Sequence, residues 1–272
     1  MAELKAQSVF DGGHWYTADG QAAYEQPKAD GSGTRPTTLR DARKLGLLPS
    51  VTTILGTLDK PQLTLWKVKT AIRAADSLPR NEGEEVEAWV DRVVEKAAEP
   101  VAEAADLGTR IHAAIEAACK GEEWDSTELG PYVAPVLGWL LGKLAGGGRI
   151  VAQETVLASK AEGFAGRVDL IIEMADKAVW VVDWKSRKTR PGESEKVAFA
   201  PYPTQQMQLA AYAAIYGKRP DWSRIHCANV ITSSTEPGRF AVVEHAEPAV
   251  AWEAFKHVCA VWRWSKGYDP RG

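Results

Sequence analysis

Residues Gly163–Lys188 read GFAGRVDLIIEMADKAVWVVDWKSRK. Two apolar runs, Arg167–Met174 and Ala178–Lys185, flank a short polar break at Ala175, Asp176 and Lys177. Runs of this length, rich in Val, Ile, Leu and Trp and bounded by turn residues, predict a hairpin of buried strands. An unpaired charge inside such a strand is costly, yet Asp169 sits in the first run and Asp183 and Lys185 sit in the second. Side chains alternate along a strand, so Asp183 and Lys185 share a face and Trp184 points the other way. The hairpin thus brings two carboxylates and an ammonium together at one end. For Asp183-Trp184-Lys185 alone, a salt bridge at a strand end is an equal reading. With Asp169 one strand upstream, a divalent cation that offsets the like charges accounts for all three. Carboxylate oxygens are the hard ligands that Mg²⁺ or Mn²⁺ prefer. A lysine beside them orients or deprotonates an attacking water, or neutralises charge developing on a phosphate.

Further stretches fall in line with this hairpin. Gly108-Thr109-Arg110-Ile111-His112 lies on an upstream helix, and Gln208-Leu209-Ala210-Ala211-Tyr212 on a downstream one. Together with Gly166-Arg167-Val168-Asp169 and Asp183-Trp184-Lys185 they resemble the PD-(D/E)XK nuclease superfamily, in its RecB-like exonuclease branch. The stretch Pro49-Ser50-Val51-Thr52-Thr53-Ile54-Leu55 is similar to phage-type and mitochondrial genome maintenance relatives. The resemblance implies an α/β fold, with a mixed central sheet flanked by helices (a restriction-endonuclease-like αβββαβ core) and an N-terminal helical region. With the local signals below, the chain reads as an N-terminal hairpin, linker and helical region over residues 1–100 and a nuclease core over 101–272, expected to form one compact unit. The resemblance also implies metal-dependent hydrolysis of DNA phosphodiesters, as an exonuclease on single strands or strand ends. The metal ligands would be Asp169, Asp183 and His112, with the main-chain carbonyl of Trp184, for one or two Mg²⁺ or Mn²⁺ ions. Lys185 would align the water, and Gln208 with Tyr212 would position the DNA strand and the lysine. A structure-specific endonuclease and a catalytically silent DNA-binding module are the alternatives.

Other residues are read from their neighbours. Glu116 lies one helical turn after His112 and would accept its second ring N–H. Glu154, on a strand entering the hairpin, either reaches the metal side or is an exposed polar position. Ser186, Arg187, Lys188 and Arg190 follow the lysine, as a solvated charge run or as contacts to flanking phosphates. Lys67, Lys69 and Arg73, beside Trp66, form either a solvated helix face or a grip on the substrate backbone with a stacked base.

Composition bounds the rest. Hydrophobic content of 45% and charged content of 25% are those of a soluble globular chain. A net charge of −3 confines any nucleic-acid footprint to local patches. Cys119, Cys227 and Cys259 are scattered, read as free thiols of a reducing compartment, and are one short of the four cysteines of an iron–sulfur cluster. The phosphate-loop pattern is missing near Gly138–Lys143, so no nucleotide cofactor is expected. No apolar run approaches the ~20 residues of a membrane helix, and the expected setting is the cytoplasm of a bacterial or phage-infected cell, with a recombination or replication protein as a partner to look for. Local signals predict a small hairpin and mobile linker within residues 1–37, and a short helix capped by Thr38 or Asp41. Helices are expected at 51–58, 61–76, 83–98, 101–120 (split by Pro100) and 131–145. A strand at 150–158, a hairpin over 224–245 and a closing helix at 248–265, with Trp252, Trp262 and Trp264 in the core, complete the reading.

Overall fold

The computed structural model describes residues 13–272, the side chains of residues 100–105 excepted. The first twelve residues, Gly12 of the Gly12-Gly13 pair among them, lie outside the described residues.

Four short strands and two short helices open the described chain. Strand β1 (Trp15–Tyr16) pairs with β4 (Leu48–Pro49), while β2 (Glu25–Pro27) and β3 (Thr34–Pro36) pair with each other. The latter pair corrects the expected linker: Lys28 N–H donates to the Gly33 carbonyl at 2.9 Å, and residues 25–36 form a hairpin. Helix α1 (Leu39–Leu45) begins on a capping box in which Thr38 and Asp41 satisfy each other's backbone amides, and it ends on left-handed Gly46. Helix α2 (Val51–Leu55) starts at Ser50, whose hydroxyl accepts from the Thr53 amide. Helix α3 (Pro61–Ser77) folds back through a short link onto α4 (Val86–Lys120).

Helix α4 corrects a second expectation. It runs unbroken through Pro100, so the position where the sequence divides into two regions lies inside one 35-residue helix. Proline removes one backbone donor, and the intact turns on both sides carry the helix past it. Helix α5 (Ser126–Ala145) contains Pro131 and Pro135. Pro135 has no N–H for the carbonyl four residues back, and that carbonyl, on Pro131, accepts from the Gly238 amide at 2.8 Å instead.

The central sheet follows: β5 (Arg149–Ser159), β6 (Phe164–Glu173), β7 (Val179–Arg187), β8 (Ile225–Ser233) and β9 (Phe240–His245), in that spatial order. All pairs are antiparallel except β7–β8, which are parallel. Between β7 and β8 come the one-turn helix α6 (Glu195–Ala198) and α7 (Pro203–Gly217), and helix α8 (Pro248–Lys266) follows β9. One core layer packs α2, α7 and α8 on the sheet through Ile54, Leu209, Phe255, Trp262 and Val181. The other packs α4 and α5 through Ile111, Ile115, Val136, Trp184 and Leu170. Strands covered on both faces read as continuous apolar runs, which is why β6 and β7 stand out in the sequence. Trp252 and Trp262 belong to the core, but Trp264 is 85% exposed; the closing helix turns that residue to solvent.

Two irregularities set up the site. Antiparallel pairing of β6 with β7 runs from Glu173↔Val179 to Leu170↔Val182, with no pair recorded for Asp169 and Asp183 beyond it, whereas β6 stays paired with β5 to its first residue. On β5, Val151 is an extra residue between the pairs Ile150↔Ile172 and Ala152↔Ile171. Near the start of β6, Gly166 lets the ring of Tyr212 pack against the strand; a Cβ there would stand 2.7 Å from Tyr212 Cε1. Because Tyr212 is itself 3% exposed, the ring has no free end to yield. Gly166→Ala is therefore expected to destabilise the fold by about 1–3 kcal/mol, read as a lowered Tm. An unchanged Tm would show that the Tyr212 ring moves freely.

Candidate metal centre

Polar residues cross four strands in one row. Gln153↔Leu170 and Thr155↔Val168 bracket Glu154 opposite Asp169, Leu170↔Val182 precedes Asp169 and Asp183, and Asp183 pairs directly with Asn229 on β8. Glu154 adopts φ 46°, a left-handed conformation rare for a non-glycine residue inside a strand. Strain of this kind is held only where surrounding structure imposes it, and it clusters at functional sites.

The fork between β6 and β7 explains where Asp169 goes. Past Leu170↔Val182 the Trp184 amide takes the Asp169 carboxylate, at 2.7 Å to Oδ2, as its acceptor. A buried amide must be paired, so the carboxylate is locked against the β7 backbone. From α4, His112 brings Nε2 to 2.8 Å from Glu154 Oε1 and 3.6 Å from Asp169 Oδ2. The ligand atoms of His112, Glu154 and Asp169 lie within 4.8 Å of one another, close enough for a single ion to span. On the other side of the fork Asp183, 2% exposed at its side chain, accepts from Lys185 Nζ at 2.6 Å, Gln208 Nε2 at 3.3 Å and Asn229 Nδ2 at 2.6 Å.

The electrostatics follow from crowding. Burial, and then the charge of Asp183, push the Asp169 carboxyl well above its ordinary range. Burial opposes the charged imidazole of His112, but the Glu154 hydrogen bond and the charges of Asp169, Glu154 and Asp183 outweigh it and hold its pKa up. Burial likewise opposes the Lys185 ammonium, and Asp183 with Asp169 overcomes it, so the lysine stays charged. Among the described residues, His112, Lys185 and Arg167, the last at 3.6 Å from Glu154, are cations that face the acidic row. The donor set, carboxylate oxygens with one imidazole nitrogen and no thiolate, suits Mg²⁺ or Mn²⁺.

Several expected roles change. Glu116 is not behind His112; its carboxylate pairs with Lys120 and its carbonyl accepts from Gln153 Nε2 at 2.9 Å. Tyr212 is buried, and its hydroxyl accepts from Gln208 at 3.2 Å, so it holds the glutamine rather than facing DNA. Arg187 donates to the Ala200 carbonyl at 2.6 Å and lies over the Tyr202 ring at 4.8 Å, pinning the segment before α7. Ser186 sits against Gly108, where a Cβ would stand 2.6 Å from its Oγ, so the glycine permits close approach of α4 to β7. Lys188 and Arg190 are exposed past the end of β7, and Lys67, Lys69 and Trp66 are exposed on α3, with Arg73 among them. Asn229 and His245 were not foreseen, although a lone Asn inside the apolar run Cys227–Ile231 was a signal for the first.

A family model described as the PD-(D/E)XK nuclease superfamily matches residues 68–260. No curated protein matches the chain. Among solved structures, one titled "Crystal structure of SSO0001" matches at 15% identity, covering 78% of this chain and 89% of that one, with a TM-score of 0.31. Among the described residues, no helix is long and apolar enough to cross a membrane.

The raised pKa of Asp169 has a stability consequence. A carboxyl whose folded pKa lies above its unfolded value binds more protons when folded, so its ionisation costs stability as pH rises toward that folded pKa. In EDTA, Asp169→Asn is expected to melt above the wild type at pH 8, with the gap narrowing toward pH 5. Added Mn²⁺ should raise the wild-type Tm and leave the variant's unmoved. Equal melting of the two proteins in EDTA at pH 8 would mean that the buried carboxylate carries no such cost.

Proposed function

The chain belongs to the PD-(D/E)XK nuclease superfamily, and from that premise we propose that it is a divalent-metal-dependent exonuclease acting on single-stranded DNA or strand ends. The observation that carries the reading is the forked hairpin, where Glu154, Asp169 and Asp183 from three adjacent strands meet His112 and Lys185. His112, Glu154 and Asp169 would hold one ion, and Asp183 with the Trp184 carbonyl would complete its surroundings or hold a second. Glu154 thereby takes a larger part than the sequence suggested. When bound, Mg²⁺ or Mn²⁺ supplies Lewis-acid polarisation of the phosphate and a more acidic water.

The chain's own residues do the rest. Lys185 is held as a charged ammonium by Asp183 and Asp169, so it acts as a donor, orienting the attacking water or meeting charge on the scissile phosphate, rather than as a base. Gln208, itself held by Tyr212, donates to the same carboxylate oxygen as Lys185 and keeps the pair in register. Lys188 and Arg190 would meet flanking phosphates, and the exposed face of α3 with Trp66, Lys67, Lys69 and Arg73 would grip the strand further out. The resemblance to the RecB-like branch favours ends over internal sites.

Digestion of DNA labelled separately at its 5′ and 3′ ends, beside a circular single strand, tests the reading. Expected are mononucleotides or short products from one labelled end, an intact circle and no cleavage in EDTA. Cutting of the circle would make the enzyme an endonuclease.

The roles separate kinetically. Lys185→Ala is expected to lower the single-turnover rate by about 10²–10³-fold while affinity in Ca²⁺ stays near wild type. The double variant Lys188→Ala/Arg190→Ala should weaken binding and flatten its salt dependence by about 0.7 per lost contact, with a small effect on the saturated rate. Loss of affinity alone in Lys185→Ala would remove it from the chemistry.

A further inference from the structure

Asp183 has a partner that neither the hairpin nor the family match assigns. Asn229, fully buried on β8, pairs with Asp183 in the parallel ladder and donates from Nδ2 to Asp183 Oδ2 at 2.6 Å. Its amide oxygen is met in turn by His245 Nε2 at 2.7 Å, from the last residue of β9. The direction of the chain is set by chemistry. A carboxylate only accepts, so Asn229 must present its NH₂ to Asp183 and its oxygen to His245. An amide oxygen only accepts, so His245 must carry its proton on Nε2. Burial, opposed by the charge of Asp183, lowers the pKa of His245, which keeps the ring neutral with a single N–H to place.

We propose that His245 and Asn229 form a positioning relay that fixes the Asp183 carboxylate, spending Oδ2 on the protein interior so that Oδ1 is presented to the metal and to Lys185. Without the relay, Asn229 would be free to turn its amide, and the Asp183 carboxylate would keep partners on Oδ1 alone, Lys185 and Gln208. Partners behind a metal ligand orient it in this way, and their loss typically costs about 10–100-fold in metal affinity or activity. Neither residue touches the reacting atoms, so both act through Asp183. The inference rests on Asp183 being a metal ligand.

The test is Mn²⁺ binding to the full chain, followed through the paramagnetic signal of free Mn²⁺, with melting in EDTA alongside. Asn229→Ala is expected to raise the Mn²⁺ Kd about 10–100-fold, and His245→Phe to raise it in the same direction. His245→Gln, which keeps a donor for the amide oxygen, should stay close to wild type. In the Asn229→Ala background, His245→Phe should add nothing, because its effect passes through the missing amide. The proposal falls if His245→Phe lowers Tm without moving the Mn²⁺ Kd, if His245→Gln is as impaired as His245→Phe, or if the two effects add. Should Asn229→Ala fail to fold, the His245 pair on the last strand of the sheet still decides. Asp183→Asn separates the two levels: wild-type Mn²⁺ binding in that variant would defeat the metal reading of Asp183 itself. Weakened binding there, with none in the His245 and Asn229 variants, would defeat only the relay.

Discussion

The hydrogen bond from the Trp184 amide to the Asp169 carboxylate organises the centre. Pairing between β6 and β7 is recorded no further than Leu170↔Val182, just as the two strands reach their acidic residues. A buried backbone donor left there would cost free energy, and a carboxylate is the strongest acceptor the strand has to offer. Once Asp169 is committed to that amide, its charge is held a short step from Asp183 in a covered part of the sheet. Everything nearby then has to manage negative charge. His112 approaches from one helical layer and Gln208 from the other, Lys185 extends from β7 beside Asp183, and Arg167 flanks Glu154 at 3.6 Å. The close packing that permits this rests on two residues without side chains, Gly108 against Ser186 and Gly166 against Tyr212.

Such a cluster is poorly placed for stability on its own account. Buried charges seldom recover their desolvation through pairing alone, and the upward shift of the Asp169 carboxyl records the unrecovered part. The imidazole of His112 and the ammonium of Lys185 reduce the deficit without removing it. A divalent ion among His112, Glu154 and Asp169 would remove it, and coordination would require His112 Nε2 to give up its proton. The same geometry is thus a strained protein site and a preorganised ligand set.

The hairpin was legible in the sequence because its strands are covered on both faces: charges in a continuous apolar run require a compensating partner, and Asp169 beside Asp183 and Lys185 tips a simple salt bridge toward a metal site. His112 was legible only through its motif, and its true partner was not. Glu154 sits in the polar run Gln153-Glu154-Thr155, where nothing local marks one residue over another; its role comes from a register opposite Asp169 and a left-handed backbone. Asn229 and His245 are distant from the hairpin in sequence; the parallel β7–β8 ladder brings Asn229 to it, and the antiparallel pairing of β9 with β8 brings His245. Elsewhere local rules gave way to context. Pro100 does not end its helix, and the glycine-rich turn at residues 28–33 closes a hairpin instead of loosening a linker. Arg187 and Tyr212, read as contacts to DNA, are taken up by the protein's own carbonyls and by Gln208.

Helix α4 links the two halves of the substrate problem. Trp89, which donates to the Leu78 carbonyl at the foot of α3, precedes His112 by 23 residues, about 35 Å along a helix at ~1.5 Å per residue. From that foot α3 folds back along α4 for 17 residues, about 25 Å, with Arg73, Lys69 and Lys67 following one another away from the foot. Charges spaced along such a path cannot share in bond breaking at the fork, because direct interactions at these distances are largely screened at physiological ionic strength, where the Debye length is about 8 Å. Under the proposed function their part would be to hold a strand whose next phosphates lead toward Lys188 and Lys185. On the same proposal, a helix that carries His112 in its C-terminal half and packs against α3 with its N-terminal half would tie the placement of the strand to the geometry of the candidate metal centre.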